Sequence, residues 1–264
     1  MAASVEVLIS GDESLQGKAA MECAAVGADL AGLEVVVTKQ YRGKSDWLCL
    51  YGPGHAHRNL SRMAHVASGR QVACWDIGYI SRKVYARVAV DHNHPQRLFN
   101  ETPNDGSRWD VHGITLRDDY DPNGHIVVAG MGPKSRAHLG LYDWELKTLF
   151  EVQARFPKKR VLYRPKPQGS RDPQIAWTSD GTSSIEDVLR GASLAVCRHS
   201  NVAVDACIAG IPVECEDGAA RWLYAKGSNP DAESRLDFLH RLAYWQWKNN
   251  EMREAWTFLQ AVSN

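Results

Sequence analysis

The chain has 264 residues, 44% of them hydrophobic and 23% charged, and its 31 basic and 31 acidic residues cancel to a formal net charge of zero. That composition belongs to a soluble globular protein with room for one large or two small domains. It excludes a disordered chain and a global field that would recruit nucleic acid or an anionic membrane, though not a local basic face.

The six cysteines, Cys23, Cys49, Cys74, Cys197, Cys207 and Cys215, form no Cys-x-x-Cys pair. Buried free thiols in a reducing cytoplasm are therefore expected, and no zinc site. No apolar run reaches the roughly 18 residues of a membrane span, and the sequence opens without a basic-then-apolar leader, so no membrane partner is expected.

Val5 to Ile9 reads as a first buried strand ending in Ser10-Gly11-Asp12, and the alanine-rich Leu15 to Ala28 as a helix packed closely on a sheet. Leu33 to Thr38 and Trp47 to Tyr51 read as two more strands. The second ends in Gly52-Pro53-Gly54, a turn that brings backbone close to a ligand, and His55, His57 and Arg58 follow at once. A helix is expected over Leu60 to Ala67, then a strand over Val72 to Trp75 ending in Asp76-Ile77-Gly78. Such alternation predicts a parallel, doubly wound sheet. From Ser81 to Asn123 the pattern weakens to long loops around a strand at Val88 to Val90. The Asp-rich piece at Asp118 to Gly124 lacks the oxygen spacing of an EF-hand loop, so no metal site is expected there.

His125 to Met131 restarts the alternation and runs into Gly130-Met131-Gly132-Pro133-Lys134-Ser135, which places a domain boundary at Asp118 to Gly124. This Gly-x-Gly turn falls short of a dinucleotide fingerprint, yet its position marks Gly132, Lys134 and Ser135 as candidates beside a phosphate. Trp144 to Phe156 is an amphipathic helix, and Val161 to Tyr163 a strand ending in Arg164-Pro165-Lys166-Pro167. Beyond the polar loop Trp177 to Ser184 and a helix at Ile185 to Arg190 comes the stretch ASLAVCRHSNVAVDACIAGIPVECEDGAA. It reads as strand (Leu194 to Cys197), turn (Arg198-His199-Ser200-Asn201), helix (Val202 to Ala209) and strand (Val213 to Cys215). The ligand site of such a βαβ unit lies at the carboxyl ends of its strands. Ser200 and Asn201 stand at the helix N-cap, where backbone N–H groups favour a phosphate, or where they only cap a core helix. After the polar gap at Ala225 to Glu233, Leu236 to Val262 reads as helical, with Trp245, Trp247 and Trp256 as packing residues.

Asp205 to Val213 (DACIAGIPV) resembles the acidic-Ala-x-x-x-Gly-x-Pro-Val segment of GT-B glycosyltransferases, and Arg164-Pro165-Lys166-Pro167 resembles the Arg-Pro-His-Pro turn of GT-B enzymes that build capsule and teichoic-acid polymers. Lys166 stands where those enzymes have His. The resemblance implies an α/β fold of two Rossmann-like domains facing a cleft, with a C-terminal helix bracing the first. The expected division is 1–122 for the acceptor, 123–235 for the nucleotide sugar, and 236–264 packing back on the first domain. It further implies that Asp205 holds the donor ribose and that the diphosphate meets Gly132, Lys134, Ser135, Arg164, Lys166, His199, Ser200 and Asn201. Trp177 lies on the loop expected near the donor base, as a stacking platform or a core residue. Cys197 occupies a place where retaining enzymes often carry a second acid, which favours inversion. No metal and no cofactor is implied beyond the nucleotide-sugar donor, expected to be a UDP-sugar.

Inversion needs a general base near the acceptor hydroxyl. Asp76, directly after a strand and before a glycine turn, is the first candidate, followed by Asp91 with His92, and His94 and His55 are also available. The pieces RPKP, CRHSNVAVDACIAGIPVECEDGAA and RLAYWQW are also similar to bacteriophage-encoded proteins grouped with glycosyltransferases. Some phage enzymes of this fold glycosylate 5-hydroxymethylpyrimidines in double-stranded DNA. That implies a DNA acceptor and a location in the host cytoplasm, with Lys39, Arg42, Lys44, Arg58, Arg62 and Lys158 to Arg160 as local basic clusters. A surface polysaccharide or small-molecule acceptor, an epimerase, and a nucleotide-sugar-binding module without transfer are the alternatives.

Overall fold

The computed structural model describes residues 2–52, 55–95, 99–166, 183–224 and 229–263. The chain divides into two compact units, Met1–His112 with His240–Asn264, and Gly113–Leu239. In chain order the first unit contributes β1 (Ser4–Leu8), α1 (Leu15–Leu30), β2 (Glu34–Thr38), β3 (Trp47–Tyr51), α2 (Ala56–Ala67), β4 (Gln71–Ile77), β5 (Tyr85–Val90) and α3 (Ser107–Asp110). The second contributes β6 (His125–Ala129), α4 (Pro133–Leu139), α5 (Trp144–Arg155), β7 (Val161–Arg164), α6 (Ile185–Leu189), β8 (Ala192–Cys197), α7 (Val202–Ala209) and β9 (Val213–Cys215). Then α8 (Ala232–Ala243) leads out of the second unit, and β10 (Gln246–Lys248) and α9 (Met252–Ser263) complete the first. No helix among the described residues is long and apolar enough to cross a membrane.

The sheet of the first unit has the order β10-β5-β4-β3-β1-β2. Strands β2, β1, β3 and β4 run parallel, while β5 is antiparallel to both β4 and β10. Every residue of β3 and of β5 is buried, the pattern of strands covered on both faces. Right-handed crossovers that leave β1 and β3 in opposite directions put α1 and α2 on opposite faces. Leu8, Leu48, Leu50, Val72 and Cys74 form a core cluster. The Ser14 hydroxyl starts α1 by accepting from the Gly17 amide at 3.1 Å.

The second sheet, β7-β6-β8-β9, is parallel throughout. Ile126, Val128 and Val196 from its strands pack on Leu149 and Val152 of α5.

Three features depart from the sequence reading. The first sheet is mixed: the strand expected at Val88 to Val90 is β5, antiparallel to β4, and it pairs with β10, where a helix was expected. The C-terminal stretch is not one helical run, because Gln246–Lys248 pairs with β5 and the Gln246 side-chain oxygen accepts from the amides of Tyr79 at 3.0 Å and Ile80 at 2.9 Å. The aromatic residues around it favour a strand over a helix. Finally, the first boundary lies at residue 113 and not at 118–124. Residues 117–121 belong to the second unit because the amides of Arg117 and Asp119 donate to Ile208 and Ala209, both at 2.8 Å, and Asp121 donates to Ala192 at 3.2 Å. The return to the first unit comes at His240, four residues beyond Leu236.

Within the first unit α9 lies directly against α1. The Trp256 indole donates to the Ala24 carbonyl at 2.8 Å, and a Cβ on Gly27 would stand 2.5 Å from the Met252 backbone. Only a residue without a side chain admits that approach. Gly27→Ala should therefore destabilise the protein by about 1–3 kcal/mol, the usual cost of overpacking. Urea denaturation checks it: a change under roughly 0.5 kcal/mol, the size of an indifferent surface substitution, would show that the two helices separate freely.

Candidate active site

In the second unit the connections from β6 leave towards β7 on one side, while β8 pairs on the other. That reversal makes a crevice outside the carboxyl ends of β6 and β8, where ligands of open α/β sheets bind. Two turns meet there. After β6, Gly132 caps α4 in extended conformation with Pro133 as the first helical residue. After β8, His199 reaches across so that its Nε2 lies 3.2 Å from the Ser135 hydroxyl, and its Nδ1 lies 3.5 Å from Asp217 Oδ1. Asp217 is in turn held by Arg198 Nε at 3.0 Å. The exposed Lys166, beyond β7, lies over Gly132, where a Cβ would stand 3.1 Å from the lysine Cδ and 3.5 Å from Nζ. Gly132, Lys134, Ser135, Lys166 and His199 thus lie together in the three turns.

A buried ion pair supports the first of these turns. Glu145, 1% exposed, accepts from the Met131 amide at 3.0 Å and from Arg136 Nε at 2.8 Å, while Arg136 also donates to the Met131 carbonyl at 2.8 Å. Neither residue was picked out by the sequence reading, since a charged pair nine apart on two helices has no local signature.

The other expected donor residues are placed differently. Arg164 is buried, 9% exposed, as the last residue of β7. Ser200 precedes α7 by two residues, and the cap position falls to Asn201, whose side chain makes no capping bond. The Ser200 hydroxyl accepts from Val202 at 3.2 Å, and the amides of Ala203 and Val204 donate to the carbonyls of Ser200 and Asn201 at 3.1 and 3.0 Å. The first amides of α7 are therefore engaged locally. Asp205 is half-buried in the first turn of α7. Cys197 is buried, and its hydrogen bond with Cys215 together with burial raises its thiol well above the ordinary value, so the position carries no charge. Trp177, Pro167, Pro53 and Gly54 lie outside the described residues. A cavity of about 280 Å³ opens nearby, lined by Val152, Arg155, Val213, Glu214 and Tyr224 among others. Among the described residues no three His, Cys, Asp or Glu are placed to hold a metal ion.

The base candidates separate. Asp76, at the carboxyl end of β4, is paired with Arg87 at 3.0 Å. Arg87 also donates to the Tyr79 hydroxyl at 3.2 Å and lies 2.8 Å from His94 Nδ1. Asp91 directly follows β5, beside the start of β4, in left-handed conformation with φ of 62°, and its carboxylate accepts from the Val72 amide at 2.8 Å. It is 6% exposed and ties β5 to the start of β4, with the exposed His92 beside it. Asp76 and the Asp91–His92 pair therefore cannot serve one site.

The first unit has its own strand-order reversal, at β1 and β3, and it is filled by a cluster of which the sequence had offered His55 alone as a candidate base. Arg58, 1% exposed, pairs with Asp12, lies 3.1 Å from Glu13 Oε1, and donates to the Tyr51 carbonyl at 2.7 Å. Around the same Asp12 stand His55, with Nδ1 at 3.5 Å, and His57, with Nε2 at 3.8 Å. Partial burial works against ionisation of Asp12, but the Ser10 hydroxyl and the Arg58 guanidinium outweigh it and bring the carboxyl down to about 2.

No family model matches the sequence, and no curated protein matches it. Solved structures do. Thermosulfurimonas dismutans KpsC, beta Kdo 2,4 transferase, matches with a TM-score of 0.54 at 12% identity, covering 94% of this chain and 92% of its own. The beta Kdo 2,7 transferase of KpsC from the same organism matches with a TM-score of 0.50 at 14% identity, covering 97% of this chain and 99% of its own. At such identities what is shared is the fold, a mixed α/β arrangement with two sheets.

The support under the β6 turn is testable by itself. Glu145→Ala leaves Arg136 buried without its partner and should cost about 3–5 kcal/mol, the usual effect of breaking a buried pair. Equilibrium denaturation checks it, and a loss below about 1 kcal/mol, within the range of exposed pairs, would show that the turn does not depend on the carboxylate.

Proposed function

We propose that this chain is a metal-independent glycosyltransferase that takes its sugar from a nucleotide-activated donor. The observation that carries the reading is the junction of Ser135 with His199 at 3.2 Å across the β6 and β8 turns, with Lys166 over Gly132 beside it. Three turns from three parallel strands bring a hydroxyl, an imidazole and the Lys166 ammonium to one crevice, with Lys134 in the first turn of α4 beside them. That set suits the phosphate of a nucleotide sugar and the charge that builds on it as the glycosidic bond breaks. Lys134 and Lys166 supply cations, His199 supplies a hydrogen bond oriented by Asp217, and the dipole of α4 favours an anion at its start. The fold shared with two Kdo transferases supports the same class of chemistry.

Asp205 is proposed to bind the donor ribose. Inversion is proposed because the buried, neutral Cys197 stands where a second acid would be. The donor is proposed to be a UDP-sugar or, by analogy with the two structural neighbours, a nucleotide-activated Kdo. Hydroxymethylated double-stranded DNA and a surface glycan are the two acceptors to be compared.

Lys166→Ala, His199→Ala and Asp205→Ala should each weaken nucleotide-sugar binding by about 1–3 kcal/mol, the value of a hydrogen bond to a charged group, or roughly 5- to 150-fold in Kd. Calorimetry with UDP-, GDP-, CDP- and ADP-sugars and an activated Kdo measures it. Equal affinities for wild type and all three variants would remove the assignment.

Transfer itself is read by mass spectrometry after incubating each donor with DNA containing 5-hydroxymethylcytosine or 5-hydroxymethyluracil, and separately with oligosaccharide acceptors. Sugar mass on one of these acceptors is the expected result. Binding of a donor with no transfer to any acceptor would leave a nucleotide-sugar-binding module.

A further inference from the structure

We propose that Cys215 and Cys197 form a peroxide-sensitive dithiol, in which Cys215 is the nucleophile and Cys197 closes the disulfide, and that its oxidation weakens anion binding at the His199 turn. The thiol chemistry stands by itself, and its effect on a donor rests on the transferase reading.

The sheet brings the two sulfurs together. Cys197 ends β8, Cys215 ends β9, and the two are direct partners in the parallel register. Neighbouring strands lie about 4.8 Å apart, inside the Cα span of about 4.4–6.8 Å that a disulfide bridges. The two thiols already share a hydrogen bond. Both line the cavity of about 280 Å³, with Cys197 buried and Cys215 half-buried, so a small oxidant has a way to Cys215.

The surroundings make Cys215 the attacking sulfur. Its thiol is brought below the ordinary value chiefly by the hydrogen bond from Cys197, with help from the backbone amides of Gly218 and Asp217, against burial and the Asp217 charge. Gly218 permits that approach, because a Cβ there would stand 2.8 Å from Cys215 Sγ. The neighbouring carboxylates are paired, Glu214 with Arg155 at 2.8 Å, Asp217 with Arg198 at 3.0 Å, and Glu216 with Arg198 as well. Elsewhere burial raises Cys23 and Cys49 and pushes Cys74 and Cys207 up to about 12. Of the six cysteines only Cys215 is thus prepared as a thiolate, the form that reacts.

The reaction balances with hydrogen peroxide as the oxidant. The Cys215 thiolate attacks one peroxide oxygen, the O–O bond breaks, and hydroxide leaves with the electron pair, giving a sulfenic acid. That hydroxide takes up a proton from solvent, in place of the one the Cys215 thiol gave up. The Cys197 sulfur then attacks the Cys215 sulfur, the S–O bond breaks, and the Cys197 proton goes to the departing hydroxide. The two sulfurs lose two electrons, and the peroxide becomes two waters.

The disulfide forms at the root of the candidate site. His199 follows Cys197 by two residues, Asp217 follows Cys215 by two, and their side chains meet at 3.5 Å. The Cys215 thiol donates to the Arg198 carbonyl at 3.5 Å, a bond that is lost when the sulfurs close to about 2 Å. The turn that carries Asp217 then loses its hold on the sulfur and on the residue before His199.

Alkylation and mass spectrometry of the wild-type protein test the chemistry. Under native conditions iodoacetamide should label Cys215 about tenfold faster, or more, than any of the other five cysteines. A stoichiometric dose of hydrogen peroxide should then link the peptides of Cys197 and Cys215 with loss of two hydrogens, and dithiothreitol should reverse it. Cys197→Ser should stop at a Cys215 sulfenic acid that dimedone traps. Another cysteine labelled first, or Cys197 and Cys215 both still free thiols after the peroxide dose, would overturn the proposal, and neither result depends on a variant folding.

Calorimetry tests the link to the site. The nucleotide sugar that the reduced protein binds should bind the oxidised protein about fivefold more weakly or worse, with dithiothreitol restoring the affinity. An unchanged Kd with the disulfide formed would remove the link to His199. Reduced protein that binds no nucleotide sugar would remove the transferase reading and leave the dithiol standing.

Discussion

The constraint on which both sheets depend is the reversal of strand order at β1/β3 and at β6/β8. The connection from one strand leaves to one side and that from its neighbour to the other, so neither covers the gap between their carboxyl ends. Among the described residues, two polar clusters stand at those gaps. In the first unit they hold Asp12, His55 and Arg58, and in the second Ser135, His199 and Lys166. The charged residues elsewhere along the strands, Asp91 and Glu6 among them, accept backbone or side-chain hydrogen bonds and hold loops in place.

Each gap has a buried arginine beneath it, and the two are used alike. Arg58 joins the β1 turn to the Tyr51 carbonyl at the end of β3, and Arg136 joins Glu145 to the Met131 backbone. A turn that must leave amides and side chains open to a ligand cannot also fold on its own hydrogen bonds. A guanidinium with five fixed donors supplies that constraint by bonding to a carboxylate and a backbone carbonyl at once. The desolvation cost of such a pair is large, so its contribution is to fix the turn's geometry more than to add stability.

Much of the skeleton was legible in the sequence because it rests on local rules. Short apolar runs bounded by Gly, Pro or Asp located β1, β3, β6 and β8, and Gly210 with Pro212 located the end of α7, where Gly210 is left-handed with φ of 78°. The turns after β6, β7 and β8 were singled out for the same reason. What stayed hidden depends on which strands neighbour each other. The order β2-β1-β3-β4 cannot be read from a pattern of single strands, and without it Asp12 was only the end of a run. Asp76 and Asp91 look alike in sequence, each closing a strand, yet one strand runs antiparallel to the other, so they lie at opposite ends of the sheet. The aromatic Tyr244 to Trp247 read as helix because its neighbours are helical, and the exposed edge of β5 overrode that preference.

The two helix starts of the second unit show how a cap and a binding site exclude one another. At α7 the hydroxyl of Ser200 accepts from Val202 and the next amides donate to carbonyls one turn back, so the start is closed by its own chain. At α4 the cap is Gly132, which has no side chain to accept, and Pro133, which has no N–H to give. Lys134 and Ser135 follow in the first turn, where no carbonyl of the helix precedes them. A hydroxyl that accepts from the first helical amide, as Ser200 does, fills the place an anion would take. A Gly-Pro start gives up that bond, and Glu145 with Arg136 restores the turn's rigidity from behind. The start of α7, at Ser200-Asn201, is thus engaged by its own chain, whereas α4 starts on a residue without a side chain.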